Sequence, residues 1–115
     1  MNNENLKQYF NGVRKCRKLI KKCLTTENVI LSSANVEWHI NNQVVKFFVE
    51  NGGKEYLYEE WENFYIGEKL ERALTDFVQE RKIFKSPRGI KIKLDYKYSS
   101  DFPRASKYFM AYPVA

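Results

Sequence analysis

Along the first 24 residues, Leu6, Tyr9, Phe10, Val13, Cys16, Ile20, Cys23 and Leu24 recur at steps of three and four. That spacing gathers them on one side of a helical wheel and predicts an amphipathic helix over residues 4 to 24. Thr25 and Thr26 lead into Val29, Ile30 and Leu31, a short β-rich run. Val36, Trp38 and Ile40 then alternate with Glu37 and His39, the period of a half-buried strand. Asn41 and Asn42 suit a tight turn, because Asn tolerates positive φ. Val44 to Glu50 reads as the next strand, Asn51-Gly52-Gly53 as a turn, and Lys54 to Tyr58 as a third strand. From about Glu59 the period lengthens again. Ile66, Leu70, Ala73, Leu74, Phe77 and Phe84 share a helical face, and Ser86-Pro87-Arg88-Gly89 ends the predicted second helix. Ile90, Ile92, Leu94, Tyr96 and Tyr98 alternate without a break, and after a loop from Ser99 to Ser106, Tyr108, Met110 and Tyr112 alternate again, predicting a terminal hairpin.

The elements add up to an α+β fold of order α-β-β-β(-β)-α-β-β, with a single antiparallel sheet (a meander plus a C-terminal hairpin) and two helices packed on one face. No internal repeat or linker interrupts it, so residues 1 to 115 read as a single domain, a length that supports one core. The composition is 43% hydrophobic and 16% aromatic, enough apolar area to exclude a disordered chain. No apolar run has the length of a signal segment or approaches the ~20 residues of a membrane span, so the expectation is a soluble, cytoplasmic protein with no membrane partner. Cys16 and Cys23 lie seven residues apart on the predicted helix, about 10 Å between α-carbons and beyond disulfide reach. Reduced, buried thiols are expected.

The α-β-β-β-α order over residues 4 to 84 is similar in topology to the double-stranded-RNA-binding domain. That family presents a basic cluster at the start of its second helix, where it meets phosphates across the duplex groove. Here the matching segment reads Glu59-Glu60-Trp61-Glu62, which repels phosphate, so the resemblance implies topology and not that family's activity.

Charge sharpens the picture. Residues 1 to 24 hold seven basic residues against one acidic, residues 25 to 80 four against eleven, and residues 81 to 115 nine against two, for a net +6. At 100° per residue, Lys7, Arg14, Lys15, Lys18, Lys21 and Lys22 fall opposite the apolar stripe of the first helix, with Arg17 on its flank. A dense cationic strip facing water points to a polyanionic partner, nucleic acid or a nucleoprotein. The competing explanation is a lysine-rich face kept for solubility. Lys91, Lys93 and Lys97 on one strand face, with Arg88 and Arg104 in loops, extend the basic surface if the two blocks adjoin, and Tyr96, Tyr98, Tyr108 and Tyr112 then offer stacking platforms unless they fill the core.

The acidic start of the predicted second helix, Glu59, Glu60 and Glu62, and its basic end, Arg81, Lys82 and Lys85, match the helix dipole. Trp61 and Tyr65 with Glu59, Glu60 and Glu62 form either an aromatic, acidic protein interface or a cover for the sheet edge.

Catalysis finds little support. Glu37 and His39 would share a strand face, but no third group orients them, and Asp95 beside Lys97 lacks the second carboxylate of a metal-dependent nuclease. With one histidine and two cysteines no zinc site is expected, and no cofactor is. The chain therefore reads as a non-enzymatic binding module whose basic N-terminal helix docks on a polyanion. The alternative is a small inhibitor or immunity protein of the phage or mobile-element type that blocks a host nuclease, an anti-defence or anti-CRISPR role. A small hydrolase or nuclease built on Glu37, His39 or Asp95 is the distant third.

Overall fold

A computed structural model describes residues 3–27, 36–60, 63–99 and 106–114 of the chain. Among these residues the fold is α+β, with three helices and two antiparallel sheets of two and three strands. This corrects the expected single sheet and two helices. Helix α1 (Asn3–Thr26) forms where the 3.6-residue stripe placed it and buries Val13, Cys16, Ile20, Cys23 and Leu24. The first turns of that stripe do not reach the core, for Leu6 and Phe10 are exposed.

The segment expected to make two strands is instead helix α2 (Val36–Glu50). Val44, Phe47 and Phe48 are buried on it, and their spacing of three and four fits a helix as well as Val36, Trp38 and Ile40 fit a strand. Packing against α1 and the sheet decides between the two periods. Asn51-Gly52-Gly53 is not a hairpin turn but the C-terminal cap of α2. Gly52 takes φ 81°, and the Gly53 amide donates to the Phe48 carbonyl at 2.7 Å, the closing bond of a Schellman motif.

A 3-10 turn (Lys54–Tyr56) follows, and then the hairpin of β1 (Leu57–Glu60) and β2 (Asn63–Ile66). The predicted long second helix shortens to α3 (Glu68–Gln79), which buries Leu70, Ala73, Leu74 and Phe77. Ile66 belongs to β2 and Phe84 to β3 (Ile83–Lys85), so a stripe read as one helix is shared by three elements. The helix keeps an acidic start, though from other residues than expected, and loses its expected basic end. Glu59 and Glu60 lie in β1, Glu68 and Glu71 occupy the first turn of α3, and its last turn has no basic residue. The order α-β-β-β-α is therefore absent, and with it the topological likeness.

Ser86 to Gly89 forms the turn from β3 into β4 (Lys91–Ser99), with Gly89 at φ 83° and the Ser86 amide bonded to the Ile90 carbonyl at 2.9 Å. Strand β5 (Ser106–Pro113) pairs antiparallel with β4 over its whole length, Ile92 opposite Pro113 and Ser99 opposite Ser106, as the terminal alternation predicts. The sheet order is β3-β4-β5. Phe84, Ile92, Leu94, Phe109 and Ala111 are buried on its inner face, against which α2 packs on β5 and α3 on β4. Helix α1 packs on α3, α2 and the edge strand β3. The expected strand at Val29 to Leu31 lies outside the described residues, as do Trp61, Glu62 and Arg104.

Candidate polyanion-binding surface

Helix α1 places its cations by the same periodicity that buries its stripe. Lys7, Arg14, Lys15, Lys18, Lys21 and Lys22 are all exposed, within an arc of ~120° on the wheel. Among the described residues none of these six has a carboxylate within 4.0 Å.

Arg17 differs. Its guanidinium donates to both oxygens of Glu80, at 2.8 and 2.9 Å, lies 4.0 Å from Asp76, and sits over the Phe77 ring at 4.4 Å from the centroid. Asp76 in turn accepts from Arg72 Nε at 3.0 Å. The hydrogen bond to Arg17 lowers the Glu80 carboxyl below its ordinary range, and the same bond raises the Arg17 guanidinium. Arg17 thus ties α1 to the C-terminal end of α3, and its charge is matched inside the fold.

The C-terminal cations fall elsewhere. Lys91, Lys93 and Lys97 occupy alternate positions of β4, on the outer face of the sheet, and Arg88 is exposed in the β3–β4 turn. The two basic blocks therefore belong to different layers, α1 to the helices and the lysines of β4 to the sheet. Lys85, which the helical reading hid, stands opposite Lys91 on the same face. Its signal was the alternation of Ile83, Phe84 and Lys85, too short to be seen beside the stripe of α3. Tyr96 packs on the core against Phe109, with ring centroids 5.9 Å apart, so it is no platform, whereas Tyr98 is exposed.

Of the expected aromatic, acidic patch, Glu59, Glu60 and Tyr65 lie in the β1–β2 hairpin rather than at a helix start, and Glu59 and Tyr65 are on opposite faces of it. Tyr65 stands opposite Tyr58, 51% and 61% exposed, with Glu59 next to Tyr58. Phe64 shares the other face and has Lys54 Nζ 5.6 Å from its ring centroid.

Positions 37 and 39 lie on α2, where residues two apart do not share a face, so the strand-based pairing of Glu37 with His39 is lost. Asp95 accepts a hydrogen bond from the Tyr96 amide at 2.8 Å. Two shallow clefts open among the described residues. One is lined by Cys23, Glu27, Gln43, Lys46, Phe47 and Glu50, the other by Glu55, Tyr56, Tyr58, Gly67, Glu68 and Lys69. Among the described residues no group of three or more His, Cys, Asp and Glu could hold a metal ion, and no helix is long and apolar enough to cross a membrane. Cys16 and Cys23 are buried free thiols, each pushed up to about 12 by burial.

No protein-family model, no curated protein and no solved structure matches this chain.

Proposed function

We propose that the protein is a non-enzymatic, cytoplasmic binding module that docks on nucleic acid, bare or within a nucleoprotein, through the exposed cations of α1. The observation that carries this reading is the contrast between neighbours. Arg17 is matched by Glu80, while Lys7, Arg14, Lys15, Lys18, Lys21 and Lys22 remain without carboxylates among the described residues. A rigid helix holding six unmatched cations is suited to phosphates and, having no base-reading pattern, binds without sequence preference. Six phosphate contacts on a duplex give a log-log salt slope of about −5. Anisotropy titration of a labelled duplex across that salt range tests it. Combining Arg14→Glu, Lys18→Glu and Lys22→Glu is expected to abolish binding at low salt, and unchanged affinity in that variant overturns the reading.

A second reading, a small inhibitor that occupies a host nuclease or another protein target, is favoured by the exposed cross-strand pair Tyr58 and Tyr65. Tyrosines in this setting anchor protein interfaces. Binding to no nucleic acid at low salt, together with capture of a purified nuclease that Tyr58→Ala and Tyr65→Ala abolish, would support it over the first.

A further inference from the structure

Among the described residues, one face of the three-stranded sheet carries no helix. Because Phe84, Ile92, Leu94, Phe109 and Ala111 take the inner face, the alternate residues of each strand face outward. The register sets them in rows: Lys85 opposite Lys91, then Ile83 opposite Lys93 and Lys93 opposite Tyr112, then Asp95 opposite Met110. Rows lie ~6.8 Å apart along a strand and neighbouring strands ~4.8 Å apart, so this is one compact patch. Its cations crowd toward the β3–β4 turn, where exposed Arg88 adds a fourth. Between and beside them lie apolar groups that the core does not use. Ile83 is 46% exposed, and Met110 and Tyr112 are half-buried.

We propose that this outer sheet face binds single-stranded nucleic acid, with phosphates on Lys85, Arg88, Lys91 and Lys93 and unpaired bases lying on Ile83, Tyr112 and Met110. The proposal rests on the reading of the chain as a nucleic-acid binder but uses a surface separate from α1. Charge complementarity selects a polyanion, for Asp95 is the one carboxylate in these rows. The apolar groups among the lysines then select its form. A duplex keeps its bases stacked inside and could use only the cations. A single strand offers a charged backbone and open base faces together, and aromatic side chains next to cations serve both. Four backbone contacts on a single strand imply a log-log salt slope of about −3, shallower than that of α1 on a duplex.

The test uses the full chain with labelled single-stranded DNA and RNA oligonucleotides, the matching duplex, and polyglutamate as an acidic polymer without bases. Lys91→Glu with Lys93→Glu, and separately Tyr112→Ser, are each expected to weaken single-strand binding at least about fivefold. Tyr112→Phe keeps it, and duplex affinity changes less than about twofold. If Tyr112→Ser fails to fold, the surface lysine pair carries the test. Wild type that binds single strands with no loss in the lysine pair, that binds duplex alone, or that takes polyglutamate as tightly as an oligonucleotide overturns this proposal and leaves α1 docking standing. Absence of binding to any nucleic acid at low salt overturns both. Single-strand binding that survives charge reversal on α1 but not on β4 confirms the sheet site as separate from the helix.

Discussion

Arg17 and Glu80, 63 residues apart, meet through two parallel hydrogen bonds of 2.8 and 2.9 Å while the guanidinium stacks on Phe77. The pair joins the middle of α1 to the C-cap residue of α3, so it reports on the docking of the two helices. Both side chains keep contact with water, which places the coupling in the range of exposed pairs, about 0.5 to 1 kcal/mol for this bidentate geometry. A double-mutant cycle with Arg17→Met and Glu80→Gln, followed by urea denaturation, checks that figure. Since the Glu80 carboxyl is held below its ordinary value, its contribution is present above about pH 4.3 and fades as the pH falls through the lowered folded value. The stability gap between wild type and Glu80→Gln is therefore expected to be full at pH 6 and to shrink as the pH is taken below the ordinary glutamate value.

Arg81 is the second point of interest at this end of α3. It is the one described non-glycine residue at positive φ, 54°, and its neighbour Lys82 donates to the Phe77 carbonyl at 3.1 Å. This is the left-handed residue of a helix C-terminal cap, the position that glycine fills without strain. Arg81→Gly is expected to stabilise the fold by about 1 kcal/mol, raising Tm by about 4 °C in a thermal melt. The cap of α2 has a glycine at the equivalent place, so Gly52→Arg should cost a similar amount.

Glycines elsewhere matter through close approach, and the outcome depends on what is approached. A Cβ on Gly67 would stand 2.5 Å from the Tyr56 carbonyl oxygen, which is backbone and cannot yield, so Gly67→Ala is expected to cost about 2 to 3 kcal/mol. A Cβ on Gly12 would meet the Lys69 side chain at 2.7 Å, and that chain can swing aside. Gly12 sits inside α1, where alanine is favoured by about 1 kcal/mol, so Gly12→Ala should be neutral or mildly stabilising. Chemical denaturation of the two variants side by side separates the cases.

The physical reasons for what was legible in the chain differ from element to element. Helix α1 and strand β4 each carry one clear period over eight or more residues and form as expected, and the hairpin with β5 forms too, but on β5 Phe109 and Ala111 supply the core while Met110 and Tyr112 of the expected alternation face outward. Residues 36 to 50 carry two. Val36, Trp38 and Ile40 alternate at strand spacing and Val44 to Glu50 reads as a further strand, yet Val44, Phe47 and Phe48 also stand at helical steps, and only packing against α1 and the sheet chooses. The stripe of Ile66, Leu70, Leu74, Phe77 and Phe84 misled for the opposite reason, because three short elements happen to present their core residues at helical intervals. Gly67 and the Arg81 cap break that stripe at both ends, and Arg81 gives no sequence sign of its left-handed backbone. The cations of α1 were readable as a face. What the sequence could not convey was that Arg17, alone of the α1 cations among the described residues, would find carboxylates, since Asp76 and Glu80 lie about 60 residues away.

Burial pushes the Cys16 and Cys23 thiols up to about 12. At pH 8 both should resist a thiol reagent until the chain unfolds, and the labelling rate under native conditions should follow the opening equilibrium. The unfolded thiols ionise from about pH 8.5, whereas the folded ones stay protonated until about pH 12. Proton binding thus favours the native state in that window, and stability is expected to fall as pH rises from 8.5 towards 11, an effect that replacing both residues with alanine should reduce. Denaturation midpoints of the two proteins across the window measure it.

Arg17 and Lys18 are adjacent in sequence and opposite in role, which gives the sharpest check on the functional reading of α1. Arg17→Glu sets a new carboxylate against Glu80 and Asp76 and removes the cover over Phe77, so it should lower stability by about 2 to 3 kcal/mol, as expected for breaking a charge network. Lys18→Glu touches no partner among the described residues and should leave Tm within about 1 °C. Its effect should appear in duplex binding instead, where losing one phosphate contact flattens the salt slope by about one and adding a negative charge weakens affinity further. If Lys18→Glu left the slope unchanged while the fold stayed intact, the exposed strip of α1 would be a solubility feature and the binding face would have to be sought on the sheet.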